Sequence, residues 1–325
     1  MNILNQRSDV TIATEDFFVA SDTAGVDLHL RRKRLAHVEK FPNERTLLLM
    51  HGATFSSGSL FDAPVGGASF MDQLALNCFD VYAADVRGYG DSSRPPGMGG
   101  ALDPGTQPVR IETAIRDLGR VIDHILEHRG LSQLNLIAMS WGGSVAGAYT
   151  AKNNAKINRL AMIAPLWLRK SVGRIDQGGD LPAYREVDLS KHEESWRAAA
   201  PRDQRDALIP PGWFEVWTVK TLAIGPPGSV PKTILAPSGA IQDIREYWAA
   251  GRPFYDPEEI RVPVLLIHAE WDVDVTFDTA RDFFRRLTAA PCRRWIEIGQ
   301  GTHMVILEKN RWQAVNSIIE FHLGR

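Results

Sequence analysis

Short apolar runs recur along the chain and alternate with segments whose apolar residues repeat every three or four positions. The runs have the length and continuity of strands that are buried on both faces: TLLLM, DVYAAD, LNLIAM, RLAMIAP and VPVLLIHA. Between them, residues 109–130 place apolar side chains at helical spacing and end on Gly130, which is typical of a helix C-terminus. This alternation predicts an α/β fold with a mostly parallel central sheet flanked by helices.

The first two predicted strands, residues 15–22 and 26–35, have a different character. The tripeptide TAG between them is a turn signal, and the second strand alternates apolar and polar residues. Alternation of this kind is typical of a strand with one face in solvent. We therefore expect an antiparallel hairpin at the edge of the sheet.

The regular alternation stops between residues 166 and 261. This segment is rich in Pro, Gly, Arg and Trp, and it is far longer than the two to six residues of an ordinary connection in an α/β unit. It predicts a mainly helical cap inserted after the sixth strand. The chain is thus divided into a first part of the core (1–165), the cap (166–261) and a second part of the core (262–325).

Composition narrows the classes of partner. The 325 residues include 37 basic and 39 acidic side chains, so the net charge of −2 offers no basic surface for nucleic acid or an anionic membrane. No apolar run reaches the roughly 18 residues that span a bilayer, and the N-terminal stretch lacks the pattern of a signal peptide. Two cysteines form neither a disulfide framework nor a metal motif. These features predict a cytoplasmic protein and leave its oligomeric state open.

Ser140 occupies an unusual position in the stretch IAMSWGGSVAG. It follows a buried strand directly and precedes a predicted helix, with Ala138, Gly142 and Gly143 close by. Small neighbours are needed where a nucleophile sits on a sharp strand-to-helix turn, and the segment is close to the G-x-S-x-G pattern of such turns. A serine that merely caps a helix is the structural alternative.

Two further side chains with acid–base chemistry follow the last predicted strands. Asp272 lies just beyond VPVLLIHA, and His303 lies in the loop after RRWIEIG. Glu270 and Asp274 also lie in the EWDVD segment, but Asp272 has the more suitable distance from the strand end. A serine, an acid and a histidine in this chain order are typical of one class of catalytic triad.

These residues give the chain a resemblance to the α/β-hydrolase family over nearly its whole length. The segment DVRGYGDSS, the pair His51-Gly52 after TLLLM, and Glu308 five residues after His303 are similar to family features. Ala138 stands where the family has its first elbow glycine, and Thr302 stands where a glycine often precedes the histidine.

The resemblance implies a Ser140–His303–Asp272 triad that cleaves an acyl bond through an acyl-enzyme. It also implies an oxyanion hole formed by the backbone N–H groups of Ala53 and Trp141. Such chemistry needs no cofactor and no metal. The segment HILEH matches a zinc pattern, but its histidines lie on a helix face that is expected to be solvated, so no metal site is predicted there.

The substrate is expected to be a small or medium apolar ester. Trp167, Trp213 and Trp217 in the predicted cap are candidate pocket residues because an aromatic cap suits an acyl or aryl group. The same fold hosts other reactions, so a carbon–carbon bond hydrolase acting on vinylogous diketones is an alternative. A non-catalytic ligand-binding protein on the same scaffold is a more remote one.

Overall fold

The computed structural model describes residues 11–95, 107–170 and 172–325. The first ten residues, part of the N-terminal stretch considered above, lie outside the described residues. The strands are β1 (Ile12–Ala20), β2 (Asp27–Leu35), β3 (Thr46–Met50), β4 (Asp80–Ala84), β5 (Leu134–Met139), β6 (Ile157–Ile163), β7 (Tyr184–Asp188), β8 (Thr233–Pro237), β9 (Val264–Ala269) and β10 (Arg293–Ile298).

Eight of these strands form one sheet in the order β1-β2-β4-β3-β5-β6-β9-β10. Strands β3, β4, β5, β6, β9 and β10 run parallel, whereas β2 pairs antiparallel with both β1 and β4. The predicted hairpin is therefore present at the sheet edge, and the expectation of a mostly parallel sheet is confirmed. Every residue of β3, β4, β5 and β9 is buried, as their unbroken apolar runs predict.

Helices cover both faces of this sheet. The α-helices of the described residues are α1 (Ser57–Phe61), α2 (Phe70–Leu76), α3 (Ile111–Arg129), α4 (Trp141–Lys152), α5 (Leu189–Ala198), α6 (Arg205–Leu208), α7 (Trp213–Leu222), α8 (Gly239–Asp243), α9 (Phe277–Arg285) and α10 (Arg311–His322). Apolar residues of α3, α4 and α9 form a core with one face of the sheet, and residues of α1, α2 and α10 form a second core with the other. Burial on both faces is what makes the central strands apolar throughout.

Helix α3 ends as its sequence predicts. Gly130 adopts a left-handed conformation with φ 63°, and its N–H group bonds to the carbonyl of Glu127. Glycine reaches this conformation without the steric cost that a Cβ atom imposes.

The chain between β6 and β9 contains α5 to α8, a π-helical turn at Ile244–Trp248, and a separate two-stranded antiparallel sheet of β7 and β8. These two strands were not anticipated by the sequence analysis. Strand β7, with the sequence YREVD, is only half-buried and too short to give a clear period of two. The small sheet is thus separate from the eight-stranded sheet.

Candidate active site

Ser140 lies on a strained turn between β5 and α4. Its backbone has φ 57° and ψ −123°, a conformation that a non-glycine residue rarely adopts, and the residue is 8% exposed. Gly142, two positions after the serine, must be a glycine for steric reasons, because a Cβ atom there would lie 2.1 Å from the carbonyl oxygen of His51. The turn therefore packs tightly against the loop after β3 while it holds the serine at the carboxyl end of the sheet.

His303 and Asp272 lie in contact at the same end of the sheet. The Nδ1 atom of His303 is 2.8 Å from the Oδ2 atom of Asp272. The other carboxylate oxygen accepts hydrogen bonds from the backbone N–H groups of Asp274 and Val275, each at 2.8 Å. The side chain of Asp272 is fully buried, and that of His303 is 16% exposed. An ionised carboxylate only accepts, so the neutral imidazole carries its proton on Nδ1, which leaves Nε2 of His303 as an acceptor.

Electrostatics favour a charged imidazolium at His303. Burial opposes the protonated form, but the charge and the hydrogen bond of Asp272 outweigh it and raise the pKa of His303 to about 9. Asp274 adds to the effect from a little further away, and its own carboxylate is held by the Arg174 guanidinium at 2.9 Å. The site is thus built to stabilise positive charge on this histidine.

Glu308 holds the loop that carries His303. It is fully buried and accepts hydrogen bonds from the backbone N–H of Thr302 at 2.9 Å, from the Thr302 hydroxyl, and from the indole N–H of Trp196 at 2.6 Å. Burial raises the pKa of Glu308 to about 7, and these donors partly offset that rise. The residue connects the histidine loop to helix α5, a contact that its spacing in the sequence did not reveal.

The loop after β3 approaches Ser140 closely. A Cβ atom on Gly52 would lie 3.3 Å from the Cβ of Ser140. The carbonyl of Ala53 accepts hydrogen bonds from the Tyr89 hydroxyl at 2.9 Å and from the Arg185 guanidinium at 3.1 Å, which fixes the orientation of this residue.

The amides at the two predicted oxyanion positions remain available as donors. Among the residues that the structure describes, neither the N–H of Ala53 nor that of Trp141 donates to a protein acceptor. The side chain of Trp141 is held separately, because its indole N–H donates to Asp243 at 3.1 Å. His51 is fully buried, and its Nε2 accepts from the Val86 backbone at 3.1 Å, so its side chain supports the loop.

A cavity of about 540 Å³ opens over Ser140 and His303. Its wall is mixed rather than purely apolar. Carbon-rich side chains contribute one part of it: Phe55, Leu60, Leu166, Ile175, Trp196 and Met304. Arginine side chains contribute another part: Arg169, Arg174 and Arg185.

The three tryptophans predicted to line the pocket lie elsewhere. Trp167 packs on Tyr255 and Phe283 and donates to Asp282 at 2.9 Å. Trp217 is fully buried behind the cavity wall. Trp213 stacks against the guanidinium of Arg311 at 4.6 Å. In the described part of the chain, the tryptophan that faces the cavity is Trp196.

The sequence comparison agrees with this fold. The family profile described as alpha/beta hydrolase fold matches residues 45–206, which include the strand-to-helix turn at Ser140. The chain belongs to the α/β-hydrolase fold superfamily. No curated protein sequence gives a significant match.

Solved α/β-hydrolase structures superpose on nearly the whole chain. A bromoperoxidase from Bacillus anthracis has a TM-score of 0.64 and 17% identity, covering 96% of this chain and 100% of its own. A thermophilic esterase from Thermogutta terrifontis has a TM-score of 0.60 and 17% identity over 94% and 97%. A 2-hydroxy-6-oxo-6-phenylhexa-2,4-dienoate hydrolase from Rhodococcus sp. strain RHA1 has a TM-score of 0.59 and 16% identity over 98% and 100%. At these identities the likeness establishes the fold.

Two other properties of this α/β-hydrolase bear on ligands. Asp272, Asp274 and His303 bring their donor atoms within 4.8 Å of one another, the spacing of a metal site. Asp272 is already bonded to the imidazole and to two backbone N–H groups, and Asp274 is bonded to a guanidinium, so a metal would have to displace these partners. Within the described residues, none of the helices has the length and apolar character that crossing a membrane requires.

Proposed function

We propose that the chain is a serine hydrolase that cleaves an ester-type acyl bond of a small or medium substrate. Ser140 is the nucleophile, His303 the general base and Asp272 the group that orients the histidine. The backbone N–H groups of Ala53 and Trp141 form the oxyanion hole. The substrate is a small molecule whose acyl part occupies the cavity over Ser140.

One observation supports this proposal more than any other. The 2.8 Å contact joins Nδ1 of His303 to a buried Asp272, while a strained serine lies in the wall of the same cavity. A strained backbone persists only where the surrounding structure holds it, and such strain is concentrated at functional sites. A structural helix cap would need neither the strained conformation nor a buried acid–histidine pair.

The proposed reaction follows from these positions. Nε2 of His303 takes the proton of the Ser140 hydroxyl as its oxygen attacks the acyl carbon, and Asp272 stabilises the resulting imidazolium. The negative charge that develops on the carbonyl oxygen is met by the Ala53 and Trp141 amides, and one such donor is typically worth about 2.7–4 kcal/mol. His303 then protonates the leaving group and activates the water that releases the acyl group. Neither metal nor organic cofactor takes part.

A panel of nitrophenyl esters of increasing acyl length tests the proposal. We expect turnover that Ser140→Ala and His303→Ala abolish, with a maximum at an acyl length that the cavity of about 540 Å³ accommodates. His124→Ala on helix α3 is the control and should retain activity. A vinylogous diketone assayed beside the esters distinguishes carbon–carbon cleavage. Full turnover by either active-site variant would refute the assignment.

A further inference from the structure

Arg169 is a cation of the cavity wall that no acid of the described residues binds through a hydrogen bond. Asp274 and Asp272 act on its charge from nearby, but they are bonded to Arg174 and His303. Arg169 lies six residues beyond the end of β6, and its guanidinium borders the cavity together with Ser140 and His303. Among the described residues, no carboxylate or carbonyl accepts a hydrogen bond from its side chain, and its Nε is buried without a partner. Burial lowers the pKa of Arg169 because the charged form loses solvation.

Arg185 is a second cation of the same wall, and its partners are all neutral. It donates to the carbonyl of Pro237 at 2.7 Å, to the carbonyl of Ala53 at 3.1 Å and to the hydroxyl of Thr54 at 2.7 Å. Burial lowers the pKa of Arg185 as well. These bonds hold the guanidinium in one orientation, beside the loop that carries Ala53, without neutralising its charge.

The acids that border the cavity have other partners. Asp274 is bonded by Arg174 through two nitrogens, at 2.9 and 3.3 Å. Glu186 is exposed and accepts from the backbone N–H of Ser229. Asp188 accepts from the N–H groups of the second and third residues of α5. Among the described residues, neither Arg169 nor Arg185 is therefore hydrogen-bonded to an acid, although Asp274 and Asp272 act on the charge of Arg169 from nearby.

A guanidinium that has lost part of its hydration, and to which no acid is hydrogen-bonded, raises the free energy of the folded protein. A bound anion offsets this desolvation penalty. The planar fork of arginine matches a carboxylate with two parallel hydrogen bonds, which adds orientation to charge. The carbon-rich part of the same wall suits a short acyl chain. A substrate that carries both a carboxylate and a short apolar chain would complement both parts of the cavity wall.

We propose that the cavity binds an acyl substrate that carries a carboxylate, such as a monoester of a short dicarboxylic acid, with Arg169 as its anchor and Arg185 beside the acyl carbon. This inference rests on the proposed function, since it places the anion in the same cavity as Ser140. It also replaces the expected purely apolar substrate with one that is apolar along its chain and anionic at its end.

The test measures how glutarate affects the rate at which a fluorophosphonate labels Ser140. We expect glutarate to slow labelling of the wild-type protein, and glutaramide, which has the same shape without charge, to have little effect. In Arg169→Met the glutarate concentration that halves the rate should rise about tenfold or more, because hydrogen bonds between charged groups are worth at least that factor. Arg169→Lys keeps the charge without the fork and should lie between the two. The control Lys191→Met removes an exposed cation of the same cavity and should match the wild type.

Equal protection by glutarate and glutaramide would overturn the inference, as would unchanged protection in Arg169→Met. Circular dichroism of each variant identifies a folding defect, in which case Arg169→Lys decides. Failure of the fluorophosphonate to label Ser140 at all would instead count against the proposed function. Anion binding is then measured by the rise in Tm that glutarate produces in the wild type, a rise that Arg169→Met should abolish.

Discussion

Replacing Asp272 by Asn tests the geometry of the acid most sharply. One oxygen of Asp272 accepts hydrogen bonds from two backbone N–H groups, and the other accepts a hydrogen bond from Nδ1–H of His303. An asparagine has only one oxygen, and the two fixed backbone donors require it on their side. Its NH₂ group then faces His303 and donates, so Nδ1 must become the acceptor and the imidazole proton moves to Nε2. The histidine would be held in the tautomer that cannot accept the serine proton.

The expected loss is large. In a serine protease the corresponding change reduced turnover by about 10⁴. At 1.36 kcal/mol for each tenfold change, this is about 5.5 kcal/mol of transition-state stabilisation. The assay is kcat/KM on the best nitrophenyl ester, with circular dichroism to confirm that Asp272→Asn is folded.

Asp274→Asn is the matched control because it removes a neighbouring carboxylate. Asp274 pairs with a half-exposed Arg174, and a pair of this kind is typically worth about 0–1 kcal/mol. Its loss should therefore cost less than about tenfold in kcat/KM. Comparable losses in both variants, or the larger loss in Asp274→Asn, would refute the assignment of Asp272 as the orienting acid.

Three further predictions follow from the same site. The base must be neutral to accept a proton, so kcat/KM should rise with pH, and the midpoint of this rise should lie above the ordinary histidine pKa of 6.5, towards about 9. A midpoint at or below 6.5 would contradict the raised pKa of His303. Trp196→Phe alters the cavity wall and should change the acyl-length preference in the ester panel, whereas Trp167→Phe should lower Tm and leave that preference unchanged. A changed preference in Trp167→Phe with an unchanged one in Trp196→Phe would refute this assignment of the cavity wall. Gly142→Ala places a Cβ 2.1 Å from a carbonyl oxygen, so the free energy of unfolding measured by urea denaturation should fall by about 1–3 kcal/mol. An unchanged free energy of unfolding would show that the turn is not tightly packed.

Much of the fold follows from periodicity alone. Unbroken apolar runs predict the parallel strands, and the carboxyl ends of neighbouring parallel strands meet at one edge of the sheet. Asp272 and His303 follow β9 and β10, which pair in parallel register. Their proximity therefore follows from the topology, and their catalytic roles stay predictions.

The segment between β6 and β9 could not be read in the same way. Its tryptophans look alike in sequence, yet Trp196 borders the cavity while Trp217 lies behind its wall. The path of an irregular segment decides which of its apolar side chains face a cavity. The spacing of apolar residues in the sequence does not predict that path. Arg169 and Arg185 were missed for the same reason, since the lack of a hydrogen-bonded acid is visible only once the folded neighbours of each arginine are known.

The central claim is that Ser140 is the nucleophile, and mapping a covalent adduct tests it most directly. The protein is treated with a fluorophosphonate, digested, and analysed by tandem mass spectrometry, with Ser140→Ala treated in parallel. We predict a single adduct on Ser140 that is absent from the variant and that forms much more slowly in His303→Ala. An adduct on another serine, or labelling that persists in Ser140→Ala, would contradict the account.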